Sequence, residues 1–141
     1  MDWLRLRNTL KRHEGCRLRP YKDSTGNLTI GYGRNLDSIG ITMHEADYLL
    51  SGDIDSAVKT ARHIVYNFDS LDEVRQEIVV NMAFNIGMKL GGFRKMRLAI
   101  AEGDFDKAAE EMLDSRWAKQ VGRRATELAE AMRSGQWVAG E

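Results

Sequence analysis

The sequence predicts a mostly helical domain carrying one small β-hairpin near its N-terminal end, and three observations carry that expectation. A single proline, Pro20, interrupts 141 residues of which 43% are hydrophobic, enough for one packed core. Apolar residues recur at helical spacing before Glu14 and through most of the chain after Thr42. Between those stretches, Pro20 and the turn cluster Asp23-Ser24-Thr25-Gly26-Asn27 forbid helix and favour short extended segments. The chain reads as one domain, residues 1–141, without linker, internal repeat or low-complexity tract.

Taken in order, Trp3, Leu4, Leu6 and Leu10 mark a first helix over residues 2 to about 13, ending at Glu14-Gly15, where glycine suits the C-terminal turn. Arg17 to Lys22 and Leu28 to Ile30 then form a hairpin that carries Asp23 and Thr29, with a third strand near Tyr32 to Asn35. Thr42-Met43-His44-Glu45 fits a capping box and opens a long helix, whose Ala46, Leu49, Leu50, Ile54, Ala57, Val58, Ala61 and Ile64 mark one buried face. Leu71 to Ile86 is the most hydrophobic helix and the candidate centre of the fold. Gly87, Gly91 and Gly92 break the chain before shorter helices at about 93–101, 105–113, 116–120 and 123–133.

Composition excludes several classes of function. The formal net charge is zero, whereas a general nucleic-acid binder carries a basic excess or stripe. Basic residues at both ends and the acidic stretch from Glu102 to Asp114 read as solvated helix faces. Cys16 has no second cysteine to pair with and reads as a small core residue. His13, His44 and His63 are not at metal-ligand spacing, so neither metal nor organic cofactor is expected. Residues 1–7 are too charged for a signal-peptide apolar region, and no run is long enough to span a bilayer, so no membrane anchoring is expected and synthesis is placed in a cytoplasm.

The chemistry concentrates in residues 14–35. Glu14-x8-Asp23-x5-Thr29 places one carboxyl at a helix end and another on a hairpin, so the two can face each other across a cleft. Glycosidic cleavage needs such a pair: an acid for the leaving oxygen and a carboxylate on the other side of the sugar. Each residue also has a plain structural role, Asp23 as turn former and Thr29 as strand residue. Gly31-Tyr32-Gly33 lacks the following helix of a phosphate loop, and close backbone packing explains it better.

This segment, embedded in Tyr21-Lys22-Asp23 and Thr29-Ile30-Gly31-Tyr32-Gly33, resembles the catalytic segment of phage-type lysozymes, the glycoside hydrolase family 24 endolysins. The likeness continues through Asp69-Ser70-Leu71-Asp72, Asn81-Met82-Ala83-Phe84-Asn85-Ile86-Gly87, Gly92-Phe93, Ala108-Ala109, Ser115-Arg116-Trp117 and Arg124-Ala125. It implies an α+β, lysozyme-like fold, with a hairpin lobe at about 15–40 and a helical lobe at about 65–141 plus the N-terminal helix, joined by a long helix. It also implies a muramidase that hydrolyses the β-1,4 bond between N-acetylmuramic acid and N-acetylglucosamine of peptidoglycan and lyses bacterial cells.

Carried over by position, Glu14 matches the general acid, Asp23 the second carboxylate and Thr29 the residue that helps hold the attacking water. Arg124 matches the arginine that pairs with the acid. Asn35, Phe84, Met96 and Glu111 match saccharide-binding positions, although Phe84 on its own reads as core and the last two depart from the family's small or amide residues. Arg34 stands where T-even members have a histidine paired with an aspartate matching Asp53, which suggests an Arg34–Asp53 pair. The resemblance further implies an inverting reaction, a monomer, and release from the host cytoplasm to the cell wall through a holin lesion. A lytic transglycosylase would need neither Asp23 nor Thr29, and a non-catalytic peptidoglycan-binding module would not need Glu14.

Overall fold

The computed structural model describes residues 1–137. They fall into two compact units, the first Met1–Leu49 and the second from Leu50 onward.

Asp2 starts the first unit by accepting the Arg5 N–H at 3.0 Å, which caps helix α1 (Trp3–Glu14). Lys11, Arg12 and His13 occupy its last turn, where positive charge suits the carbonyl end, and Gly15 closes it with φ 68°. The expected hairpin follows as strands β1 (Arg17–Lys22) and β2 (Leu28–Gly31), with β3 (Arg34–Asn35) added to make an antiparallel sheet in the order β1-β2-β3. Register slips between Arg17 and Tyr21, the segment that contains Pro20. A residue without an N–H cannot keep the ladder, so the irregularity falls there. Cys16 is exposed, not the core residue its size and chemistry suggested. It lies between a helix cap and an edge strand, where nothing covers it.

The capping box forms as the sequence indicated. The Thr42 hydroxyl accepts from the Glu45 N–H at 3.1 Å while the Glu45 carboxylate accepts from the Thr42 N–H at 2.9 Å, opening α2 (Met43–Ile64). The stripe expected to be buried along α2 is buried only in its last three turns, at Ala57, Ala61 and Ile64. Leu50 and Ile54 remain more than 40% exposed and, with Val58, line a hollow in the second unit.

The hydrophobic core belongs to the second unit. Asp72 caps α3 (Glu73–Ile86), whose Ile78, Val79, Met82 and Ala83 are buried as befits the central helix. The glycine-rich break after it becomes a 3-10 turn, Gly87–Gly92. Four helices follow: α4 (Arg94–Glu102), α5 (Phe105–Leu113), α6 (Arg116–Val121) and α7 (Arg123–Ser134). Met96, Ile100, Met112, Leu128 and Met132 from these helices join the buried residues of α3 in one core. Methionine's unbranched, polarisable side chain fills the irregular gaps between short helices. Mostly helical with one small sheet, this is the expected α+β fold.

Arg75 fastens the last helix. Its guanidinium donates to the Met132 carbonyl at 2.8 Å and the Arg133 carbonyl at 3.0 Å, pairs with Asp72 at 3.1 Å, and lies 3.7 Å over the Phe105 ring. Those carbonyls are among the last of α7, which have no partner within the helix.

Candidate active site

Glu14, Asp23, Thr29 and Asn35 all lie in the first unit. Glu14 is the final residue of α1, so its side chain leaves the helix where the backbone turns toward β1.

A turn formed by Asp23 itself holds the second carboxylate. Oδ1 of Asp23 accepts three hydrogen bonds at 2.9 Å, from the N–H and the hydroxyl of Thr25 and from the N–H of Asn27. The Asn27 N–H, then the Thr25 hydroxyl, hold the carboxyl below the usual carboxylate range. The plain structural reading of Asp23 is therefore true of Oδ1, and the same bonds keep the residue ionised.

Thr29 follows on β2 and is 3% exposed. Its hydroxyl donates to the Asn27 carbonyl at 2.9 Å, the same oxygen that accepts the Asp23 N–H at 2.9 Å. One carbonyl thus ties the backbone of Asp23 to the side chain of Thr29. Asn35 pairs with Thr29 across the sheet, and its Oδ1 caps the following turn at Ser38 N–H.

Gly33 lies in the turn joining β2 to β3, with φ 73°. A methyl group there would stand 3.1 Å from Cδ of Glu14 and collide with Oε2. The close backbone packing expected of Gly31-Tyr32-Gly33 is therefore real at Gly33, and the group it meets is the Glu14 carboxylate. Sequence reasoning missed this partner, because a Gly-x-Gly pattern tells that something approaches closely without telling what.

Arg34 corrects another expectation. Its guanidinium forks Glu45 at 2.9 and 2.8 Å and donates to the Gly40 carbonyl at 3.0 Å, so its partner is Glu45, not Asp53. The Arg34 fork, then the Thr42 N–H, pulls the Glu45 carboxyl down to about 2. The signal was present in the capping box: a glutamate aimed back at Thr42 also faces the loop ending at Gly40.

In the second unit the candidate binding residues separate. Phe84 is 45% exposed, contrary to its reading as core, and lines a hollow of about 810 Å³ together with Val80, Asn81 and Arg124. Asn81 holds the Arg124 guanidinium through its side-chain oxygen at 2.8 and 3.0 Å. Met96 and Glu111 meet at a different hollow of about 560 Å³, also lined by Phe93, Trp117, Arg94 and Arg116. Met96 is fully buried and forms part of its floor, while Glu111 is half-buried at its wall. The Trp117 ring stands edge-on to Phe93 and donates to Asn85 at 2.8 Å, which keeps the aromatic wall in place.

With that geometry established, comparison with known proteins gives the family. The sequence model described as Phage lysozyme matches residues 11–134, from the last turn of α1 to the end of α7. The chain belongs to the phage lysozyme family. An endolysin of Acyrthosiphon pisum secondary endosymbiont phage 1 is 31% identical over 82% of this chain and 80% of its own. Probable T4-type lysozyme 1 of Dictyostelium discoideum is 28% identical over 92% of this chain and 94% of its own. The pre-baseplate central spike protein Gp5 of Enterobacteria phage T4 is 29% identical over 89% of this chain, which spans only 27% of that longer protein. Membership of the phage lysozyme family implies a glycoside hydrolase acting on peptidoglycan. Among the described residues, no helix is long and apolar enough to cross a membrane.

Proposed function

We propose that this phage-type lysozyme is a muramidase that cleaves the β-1,4 bond between N-acetylmuramic acid and N-acetylglucosamine, with Glu14 as general acid, Asp23 as the carboxylate that activates water, and Thr29 as the residue that holds that water. The observation that carries the reading is the Asn27 carbonyl shared by Asp23 and Thr29. Because the Thr29 proton is committed to Asn27, the hydroxyl can meet a water only as an acceptor. A water so bound gives one proton to Thr29 as a hydrogen bond and turns its other proton toward the Asp23 carboxylate. Its lone pair is then left for the anomeric carbon.

Glu14 protonates the leaving oxygen as the bond breaks, and Asp23 takes the proton released by the water. Water attack opposite the leaving group inverts the anomeric centre, an arrangement that needs carboxyl groups roughly 6.5–9.5 Å apart. Asn35, Phe84 and Glu111 are the proposed saccharide-binding residues, and the fully buried Met96 is proposed only to shape the floor beneath Glu111. In the biological setting the reading is an endolysin, active as a monomer and released by a holin to reach the wall.

The test is end-group analysis of purified peptidoglycan digested by the wild type and by Glu14→Gln. Reducing muramic ends that vanish in the variant support hydrolysis with Glu14 as acid. Anhydro-muramic ends would make the enzyme a lytic transglycosylase. Binding without release of either end group, by both proteins, would make it a binding module.

A further inference from the structure

We propose that Gly33 is a positioning residue for Glu14: its missing side chain is the space that the acid's carboxylate occupies, and its backbone sets where that carboxylate rests. The catalytic consequence rests on the reading of Glu14 as general acid, whereas the contact itself does not. Two glycines of positive φ flank Tyr32, and they differ in what surrounds them. Gly31, with φ 67°, has nothing within 4 Å of a built Cβ, so its glycine identity answers to backbone conformation alone. Gly33, with φ 73°, answers both to conformation and to the Glu14 side chain, whose Oε2, Cδ and Cγ are the three nearest atoms.

The colliding atom is the far end of a flexible side chain. An added methyl therefore displaces the carboxylate and leaves the backbone of α1 in place. For a general acid that displacement is the damaging event, since proton transfer needs the donor within hydrogen-bond reach of the leaving oxygen. A misplacement of about 1 Å costs on the order of 100-fold in rate.

The paired variants Gly33→Ala and Gly31→Ala separate the two demands, because both strain a left-handed backbone and only one meets Glu14. Each is expected to melt below the wild type by a similar amount. Only Gly33→Ala should lose kcat, by about 100-fold, with KM on solubilised peptidoglycan fragments within about threefold of wild type. The side-chain carboxyl resonance of Glu14, followed by carbon-13 NMR, should move in Gly33→Ala and stay in Gly31→Ala. In the unaltered protein a nuclear Overhauser contact between the α-protons of Gly33 and the γ-protons of Glu14 is expected, a measurement that needs no variant to fold.

Absence of that contact, equal loss of kcat in both variants, or wild-type kcat in Gly33→Ala would overturn the proposal. Should Glu14→Gln keep full hydrolysis, the acid assignment fails instead. The resonance and the Overhauser contact then still decide whether Gly33 places the Glu14 side chain.

Discussion

Replacing Thr29 by valine removes one hydroxyl and nearly nothing else, and the structure assigns different sizes to its two effects. The lost bond to the Asn27 carbonyl is 2.9 Å long, but that carbonyl keeps its bond from the Asp23 N–H. No group is orphaned, so the stability cost is that of a single net hydrogen bond, about 1 kcal/mol. In a domain of this size that lowers the melting temperature by roughly 3–5 °C. The reaction loses more. Without an acceptor for the water, kcat is expected to fall about 100-fold, equivalent to about 2.7 kcal/mol at the transition state.

Thr29→Ser is the counterpart. It keeps the hydroxyl and loses a methyl group buried at 3% exposure, a cost also of about 1 kcal/mol. The two variants should melt alike and differ in kcat, serine staying within about threefold of wild type. Reducing-end release from purified peptidoglycan, measured beside thermal melts, gives both quantities. A valine variant with kcat near wild type, or a serine variant as slow as valine, would refute the assignment of the water to Thr29.

Two further predictions concern stability. The Glu45 carboxyl is held at about 2 against an ordinary 4.5, so the folded state binds its proton less readily than the unfolded chain does. The contribution of the Arg34–Glu45 fork is therefore complete above pH 4.5, declines as pH falls from there to about 2, and is gone below. The melting-temperature gap between wild type and Arg34→Met should close across that window, and a gap that ignores pH would count against the fork. Arg75→Met keeps an apolar side chain beside Phe105 but loses the guanidinium over its ring and the pair with Asp72, and leaves the Met132 and Arg133 carbonyls to water, with an expected loss of about 2 kcal/mol in urea unfolding. Amide exchange in the last turn of α7 should rise in that variant, and unchanged exchange there would sink the idea that Arg75 fastens the helix.

Much of this protein follows from local chemistry that a sequence displays directly. Asp2, Asp72, Asp104 and Ser115 cap helices through their own side chains, and Thr42 with Glu45 closes its box within four residues. Pro20 and the Asp23 turn set the hairpin by the same kind of short-range constraint. The spacing Glu14-x8-Asp23-x5-Thr29, together with the order of the downstream segments, sufficed to indicate the phage lysozyme family. Such features involve residues a few positions apart, so chain connectivity alone brings them together.

Tertiary packing decided what contacts between distant residues must decide. Hydrophobic spacing along α2 marked a face without telling which part of it finds a partner, and only Ala57, Ala61 and Ile64 are buried. Cys16 looked like core by composition and is exposed. A guanidinium reaches several carboxylates of similar sequence separation, and geometry selected Glu45 for Arg34. Gly33 was legible as a residue that something approaches. That the approaching group is the carboxylate of Glu14, 19 positions earlier in the chain, depends on how α1 lies over the turn between β2 and β3, which no local pattern encodes.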